Sequence, residues 1–392
     1  TGTEVWHIPG RKNRPIFTGI PESAQKLVDV NMQDVCNFCP SRYLITPPEK
    51  SRVVVRDGQW VTQHQLSPVD VVKEVAEFRR IPNLFEIVSI NYWKKNFQYH
   101  LTEKNRAWKE SYLAVPEGRQ HVLDIINLKL RYSGLEEKEI KAIPMDQKLE
   151  MADAFFGGGH ELIVPRRHYI DGAEYDSQLA SSGELSAEEH YRYFRFTIEA
   201  MNEVYADNRY CRYVAVYQNW RKEAGASFDH LHTQIVGLDE WGVSLERELK
   251  LMATNRNMYN EYAANFAALN NNVICENDYA MAFVDLGHRY PTIAIYSKSV
   301  NCRPREHTPE ELRGVSDLVH AVHAATGSQI SGNEEWYYMP NDSIVPIPWH
   351  ILIKWRVNIP AGFEGGTKIC VNPMSLSELR DIQTLAKRGG LI

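Results

Sequence analysis

The chain of 392 residues is 43% apolar and 24% charged, which is ordinary for a globular protein and enough for two domains or one duplicated unit. A formal charge of −6 argues against a surface that coats nucleic acid, and no apolar run approaches a membrane span, so small-molecule partners and a cytoplasmic setting are expected. Six cysteines spread through so long a chain read as reduced thiols, with Cys36 and Cys39 the close pair.

In chain order, residues 5–8 read as a strand, followed by a turn at Gly10 carrying Arg11, Lys12 and Arg14. Such a cationic loop suits either an anion or solvent. Cys36-Asn37-Phe38-Cys39 runs into Pro40 and the Pro47-Pro48 pair, which disfavour a continuing helix and make a rigid knuckle. A redox Cys-x-x-Cys normally opens a helix, so this one favours a zinc knuckle. Residues 67–80 are expected to be helical, and residues 83–90 to form a strand after the Pro82-Asn83 turn. From about 93 to 153 the sequence is charged and helical in tendency, and reads as an insertion covering the core. Gly157 to Gly159 lead into a short strand, Leu162 to Val164, that ends in a basic segment carrying His168. Ser186 and Glu189 form a capping box opening a helix to about residue 206, with Tyr191, Phe194, Ile198 and Met201 on a core-facing stripe. Residues 211–218 alternate as a strand and deliver the chain to Asn219.

The second half repeats this order. A helical stretch over 244–269 and a break at Asn270-Asn271-Asn272 precede paired strands, a helix opened by Thr308-Pro309-Glu310-Glu311, and a closing strand that carries His350. Strands, a capped helix and a final strand with histidine thus occur twice, an internal duplication with expected domains 1–243 and 244–392.

The stretch that gathers chemistry is residues 219–237. If its tail is a strand, His230, His232 and Gln234 project to one side. One imidazole of such a row can attack phosphorus, the other can be held by a metal, and the amide can hydrogen-bond a phosphate oxygen. The plain alternative is a polar strand face open to water, because His-x-His is short and common. The remaining histidines, His160 among them, read as satisfied surface or helix residues, and Cys211, Cys275, Cys302 and Cys370 as small core residues.

Several separated blocks resemble the galactose-1-phosphate uridylyltransferase family of the histidine-triad superfamily. They are the opening segment with Arg11 and Arg14, the knuckle at Cys36 and Cys39, the turn around Arg79, Pro82-Asn83 and Phe85, the strand ending at His168, and the order Asn219, Gly225, Ser227, His230, His232, Gln234. The resemblance implies an α+β fold of two histidine-triad-like half-repeats, each an antiparallel sheet packed with helices, with the helical insertion added to the first. It implies nucleotidyl transfer between a nucleotide sugar and a phosphorylated acceptor. His232 would be the nucleophile that carries the nucleotidyl group, with Gln234 on the transferred phosphoryl. Asn219 and Ser227 would bind phosphates, Arg11, Arg14 and Asn83 would surround the nucleotide, and Lys368 would lie near the sugar phosphate. Cys36, Cys39, His168 and His230 would hold one structural zinc, a closed tetrahedral set, and the enzyme would be a homodimer. The sequence departs from the family pattern at Asp229 and Leu231, and at Pro348 before His350, where a second metal would need a ligand. The same chemistry with inorganic phosphate as acceptor would make a phosphorylase. A zinc-stabilised nucleotide-binding protein without turnover would have no need of His232 and Gln234 together, and a metallohydrolase using both histidines as ligands would need a third ligand and an open position.

Overall fold

Runs such as Val53-Val54-Val55 and Ile293-Ala294-Ile295 are β-branched and apolar, and they form the strands of one large sheet. The computed structural model describes residues 3–8, 20–28, 30–357 and 361–373. Strand β1 (Glu4–His7) stands apart from that sheet. The cysteine knuckle continues into a 3-10 turn at Pro40–Ile45, opened by its proline. A hairpin follows, β2 (Ser51–Arg56) and β3 (Gln59–His64), whose turn places Asp57 and Gly58 at φ of 50° and 76°, the conformation that matches strand twist.

Two expectations fail next. The helix expected over 67–80 is a single turn, α1 (Pro68–Val71), and the chain then becomes β4 (Phe78–Pro82). Residues 83–89, expected as a strand, form a loop, because Asn83 turns its Oδ1 back onto the Phe85 N–H at 2.9 Å and takes the chain out of the ladder. Six helices come after it: α2 (Ile90–Phe97), α3 (Glu103–Ala114), α4 (Pro116–Tyr132), α5 (Glu137–Ala142), α6 (Met145–Met151) and α7 (Asp153–Phe156). They close over a core of their own that includes Trp93, Trp108, Ile125 and Phe156. His121 of α4 ties this layer to the knuckle, with Nδ1 on the Tyr112 hydroxyl at 2.7 Å and Nε2–H on the Thr46 carbonyl at 2.9 Å.

The chain returns to the sheet as β5 (His160–Pro165), then crosses in α8 (Ala187–Asp207), whose capping box from Ser186 to Glu189 is present as expected. Strands β6 (Tyr213–Trp220) and β7 (Thr233–Leu238) complete the first half, with β7 inserted beside β5. The helical stretch expected over 244–269 is interrupted. It comprises α9 (Val243–Thr254), a π turn at Asn260–Ala264 and α10 (Asn265–Leu269), and the break comes where Asn255 Oδ1 captures the Asn257 N–H at 3.0 Å. Strands β8 (Val273–Glu276), β9 (Ala280–Asp285) and β10 (Thr292–Ser297) lead to α11 (Pro309–Thr326), capped by Thr308. Then come β11 (Gly332–Tyr337) and β12 (His350–Trp355), with β12 inserted beside β10. A short helix, α12 (Gly362–Thr367), and β13 (Ile369–Asn372) end the described chain, and β13 pairs in parallel with β1.

The sheet runs β3-β2-β4-β5-β7-β6-β11-β12-β10-β9-β8, antiparallel throughout. Strand, helix, strand and inserted strand occur in the same order in both halves, which is the α+β pattern of two half-repeats. The two half-sheets are fused along β6 and β11, where Tyr217 lies opposite Glu335. One face packs on α8 and α11 through Ile163, Val216, Ile235, Ile293 and Ile351. The other face carries the knuckle and the candidate site in the first half, and Tyr296, Tyr337 and Leu352 under the segment around Ala263 and Ala267 in the second. Among the described residues no helix is long and apolar enough to cross a membrane.

Charges buried beside the knuckle hold β2, β4 and β5 in register. Glu49 receives Arg52 and Arg79, and Glu161 receives Lys50 and Arg80. Burial alone would raise both carboxyls, but the guanidinium and ammonium groups outweigh it and hold them below the usual range. Arg79, part of the turn that resembles a nucleotide contact, instead directs its side chain to Glu49, Thr46 and the face of Tyr43. Removing either partner would leave an uncompensated buried charge, a loss of about 3–5 kcal/mol.

The two halves also meet where the turn at Ser182–Glu184 rests on α11. A Cβ at Gly183 would stand 2.5 Å from the Ala324 backbone nitrogen, whereas one at Gly242 would meet nothing within 4 Å. Gly183→Ala is expected to lower unfolding stability by about 1–3 kcal/mol, and Gly242→Ala to stay within about 0.5 kcal/mol. Denaturant midpoints of the two variants check this, and equal midpoints would refute it.

Candidate active site and metal group

Cys36 and Cys39 are brought to the open face of the sheet by Phe38, which packs on Ile81, Leu162 and Val164. There they meet His168, just beyond β5, and His230, just before β7. The four ligand atoms lie within 4.8 Å of one another. Cys36 Sγ is 3.4 Å from His230 Nδ1, Cys39 Sγ is 3.9 Å from it, and the two sulfurs are 3.9 Å apart. A tetrahedral ion with metal–sulfur bonds near 2.3 Å and metal–nitrogen bonds near 2.0 Å sets its ligand atoms about 3.3–3.8 Å apart, so the group fits a divalent metal after small adjustments. Two details support that fit. His168 Nδ1 is buried with no hydrogen-bond partner. His230 donates Nε2–H to the Pro165 carbonyl at 2.7 Å, which leaves its Nδ1 lone pair facing the sulfurs. The contact between the sulfurs pushes the Cys36 thiol up and pulls Cys39 down. Among the described residues this is the one cluster of three or more His, Cys, Asp or Glu side chains with such a geometry.

His230 and His232 stand on the approach to β7, not inside it, and both are almost fully buried. His232 Nδ1–H donates to the His230 carbonyl at 2.8 Å. That bond fixes the tautomer, and Nε2 keeps its lone pair with no partner among the described residues. Phe38 lies against the ring at 5.5 Å between centroids. Burial lowers the imidazole's affinity for a proton despite the carbonyl contact, so the ring is neutral near pH 7.

Two residues on, Gln234 sits in β7 opposite Tyr217 of β6 and Leu162 of β5. Its Oε1 is 3.0 Å from His160 Nε2 and 3.1 Å from the Tyr217 hydroxyl. His160 in turn reaches the 83–89 loop, where Asn83 Nδ2 is 3.0 Å from Nε2 and the Ile87 N–H donates to Nδ1 at 3.0 Å. The structure therefore joins the 83–89 loop to Gln234 through His160, a histidine that the sequence alone presents as a satisfied surface or helix residue. The missed signal is register: His160 lies two residues before Leu162 on one strand, and Leu162 is the partner of Gln234. Nothing in the local text of the Gly-rich approach reveals that pairing.

The other expected residues are more scattered. Asn219 accepts from Asn333 Nδ2 across the β6–β11 seam at 2.8 Å, and lies beside Gly225, whose φ of 90° forms the turn. Ser227 is exposed on the loop between Gly225 and His230. Lys368 is exposed in a left-handed conformation at the end of α12, and among the described residues no contact links it to the site. Arg11 and Arg14 lie outside the described residues. In the second half, His350 repeats the His232 contact, with Nδ1–H on the Pro348 carbonyl at 2.8 Å. Pro348 stands in the place of His230 and Leu352 in the place of Gln234, and the ring is clamped between Tyr296 and Tyr337 at 4.5 and 5.3 Å.

A family model described as a domain of unknown function, DUF4921, matches residues 1–388. The chain belongs to that family. No curated protein matches this DUF4921 sequence. Its fold is shared with an ADP-glucose phosphorylase from Arabidopsis thaliana, solved with bound ADP-glucose, at 16% identity, 97% coverage of this chain, 94% of that chain and a TM-score of 0.59. It is shared equally with a GALT-like protein from the same plant, at 16% identity, 90% and 92% coverage and a TM-score of 0.58. This DUF4921 member thus has the fold of those two proteins.

Two outcomes follow from this geometry. Elemental analysis is expected to find one metal per chain in the purified protein and none after Cys36→Ser with His168→Ala; an unchanged content would refute the group. Glu86, in the loop beside His160, is pushed up to about 7 by burial. Its folded pKa exceeds the unfolded one, so stability is fully present below about pH 4.3 and falls as pH rises toward 7. Glu86→Gln should remove roughly 2–3 kcal/mol of that fall, read as unfolding free energy measured from pH 4.5 to 8; an unchanged slope would contradict the assignment.

Proposed function

We propose that this protein transfers nucleotidyl groups by double displacement, with His232 as the nucleophile. The observation that carries the reading is the hydrogen bond from His232 Nδ1 to the His230 carbonyl, which leaves Nε2 as the free lone pair of a buried, neutral ring two residues from Gln234. In the first step Nε2 attacks the α-phosphorus of a nucleoside diphosphate compound. The P–N bond forms as the bond from phosphorus to the bridging oxygen breaks, and the phosphorylated product leaves with that electron pair. Positive charge develops on the imidazole, and the His230 carbonyl stabilises it through Nδ1–H. In the second step an oxygen of the acceptor phosphate attacks the same phosphorus, and the P–N bond breaks to restore neutral His232.

Gln234 donates to the transferred phosphoryl group. Asn219 and Ser227, beside the Gly225 turn, contact the phosphates, and Asn83 contacts the nucleotide together with Arg11 and Arg14. Lys368 serves the sugar phosphate. Cys36, Cys39, His168 and His230 hold a zinc ion, for which a Cys₂His₂ set is the customary ligand choice. A zinc ion in such a closed set is structural and keeps the His230 backbone, and so the His232 ring, in place. The donor is a nucleotide sugar, a reading supported by the ADP-glucose in the structure of the Arabidopsis phosphorylase. With a sugar 1-phosphate as acceptor the protein is a transferase of the uridylyltransferase type; with inorganic phosphate it is a phosphorylase. A cytoplasmic homodimer completes the reading.

Incubation with a panel of radiolabelled nucleotide sugars tests it. Wild-type protein is expected to acquire an acid-labile label, and His232→Ala to lose it, with turnover reduced by about 10³-fold or more. The absence of label from every nucleoside diphosphate compound would overturn the proposal.

A further inference from the structure

The geometry points to His160, assisted by Tyr217, as the positioning residue that turns the Gln234 amide so that its NH₂ group faces the substrate phosphoryl. This rests on the proposed reaction and adds to it a residue that acts through Gln234, not on substrate.

An amide can sit either way round, and only the partners of its oxygen decide which. A backbone N–H cannot be turned into an acceptor, so the Ile87 N–H at 3.0 Å obliges His160 Nδ1 to accept. The neutral ring then carries its hydrogen on Nε2, the opposite tautomer to His232. Nε2 is 3.0 Å from the Gln234 side chain and donates to it, so the atom it meets is Oε1. With the amide reversed, an NH₂ group would face Nε2–H. The Tyr217 hydroxyl, 3.1 Å from the same oxygen, donates too. Burial pushes that phenol up to about 12, so it keeps its hydrogen across the working range. Asn83 Nδ2 also stands 3.0 Å from Nε2, and because its own oxygen is engaged by the Phe85 N–H that amino group cannot accept from Nε2–H; the Ile87 contact sets the tautomer, and the Gln234 oxygen is the acceptor available to Nε2–H. Gln234 Nε2 has no partner among the described residues and is left to meet a ligand oxygen. Burial also lowers the proton affinity of His160, which keeps the ring neutral.

Two measurements decide the matter. Protein labelled with ¹⁵N in its histidines should show a neutral imidazole resonance, absent from His160→Asn, with the Nε2-protonated pattern between pH 6.5 and 8, with no substrate needed. An Nδ1-protonated or charged pattern would overturn the inference. The second measurement is single-turnover formation of the His232 label. His160→Asn keeps an acceptor near the place of Nδ1 for the Ile87 N–H and removes the Nε2 donor; His160→Gln keeps a donor near the place of Nε2. The asparagine variant should form label about 10–100-fold more slowly with little change in the donor concentration needed for half-maximal rate, and the glutamine variant should recover most of the rate. Tyr217→Phe should slow it by a smaller factor. In a Gln234→Ala background His160→Asn should add less than about twofold, since residues acting through one another do not add. The reverse order, asparagine fast and glutamine slow, would reduce His160 to an anchor for the 83–89 loop and refute its role in orientation. If wild-type protein forms no label at all, the proposed reaction falls while the tautomer measurement still decides which way Gln234 faces.

Discussion

The site depends on one hydrogen bond, from His232 Nδ1 to the carbonyl of His230. That carbonyl belongs to a residue whose own ring is held at both nitrogens, by the Pro165 carbonyl on one side and the cysteine sulfurs on the other. The position of the candidate nucleophile is therefore inherited from the metal group through a peptide unit, without a direct bond between the His232 ring and that group. On the proposed reaction, the arrangement separates two demands that conflict on one imidazole. A ligand gives its lone pair to a cation, whereas a nucleophile must keep it. Placing the residues two apart with the peptide between them serves both.

A similar economy runs through the supports around the site. Phe38 lies between the two cysteines and packs on Ile81, Leu162 and Val164, so the knuckle is seated on β4 and on β5, the strand that carries His160 and runs beside that of Gln234. Buried ion pairs at Glu49 and Glu161 then lock β2, β4 and β5 together behind it. Buried charges of this kind contribute little net stability, because desolvation opposes them, but wrong registers leave them unpaired and are penalised. The register they specify sets β4 against β5 and so brings the Asn83 turn onto His160, whose carbonyl accepts from the Asn83 N–H at 2.9 Å.

What could be read in the sequence follows the range of the interactions concerned. The capping boxes at Ser186 and Thr308 span three residues each and are legible. The alternation around Val214 and Ile235 is equally local. The helix expected over 67–80 fails because Arg79 and Arg80 look like solvent-facing helix residues, while their partners Glu49 and Glu161 lie 30 and 81 residues away. Of the metal group, the cysteines can be read from their spacing and the adjoining prolines. His168 and His230 came only through family resemblance, since nothing nearby in the sequence marks them as partners of a knuckle. His160 and Tyr217 escape for the same reason, their link to Gln234 being set by strand pairing. Comparison of the halves sharpens the duplication. The contact from His350 to the Pro348 carbonyl preserves the geometry of the first half after the surrounding chemistry has been exchanged for tyrosine rings and proline.

The seam between β6 and β11 has a mechanical consequence. Two lobes joined by a linker can swing shut over a ligand, but here four consecutive residue pairs, from Gly332 with Trp220 to Glu335 with Tyr217, join the halves as neighbouring strands of one ladder. Opening a hinge there would break backbone hydrogen bonds and peel α8 from α11, so the cost would approach that of unfolding. A ligand that reaches the open face would therefore be admitted past its bordering loops, residues 83–89 and 221–229, and not by a swing of one half against the other.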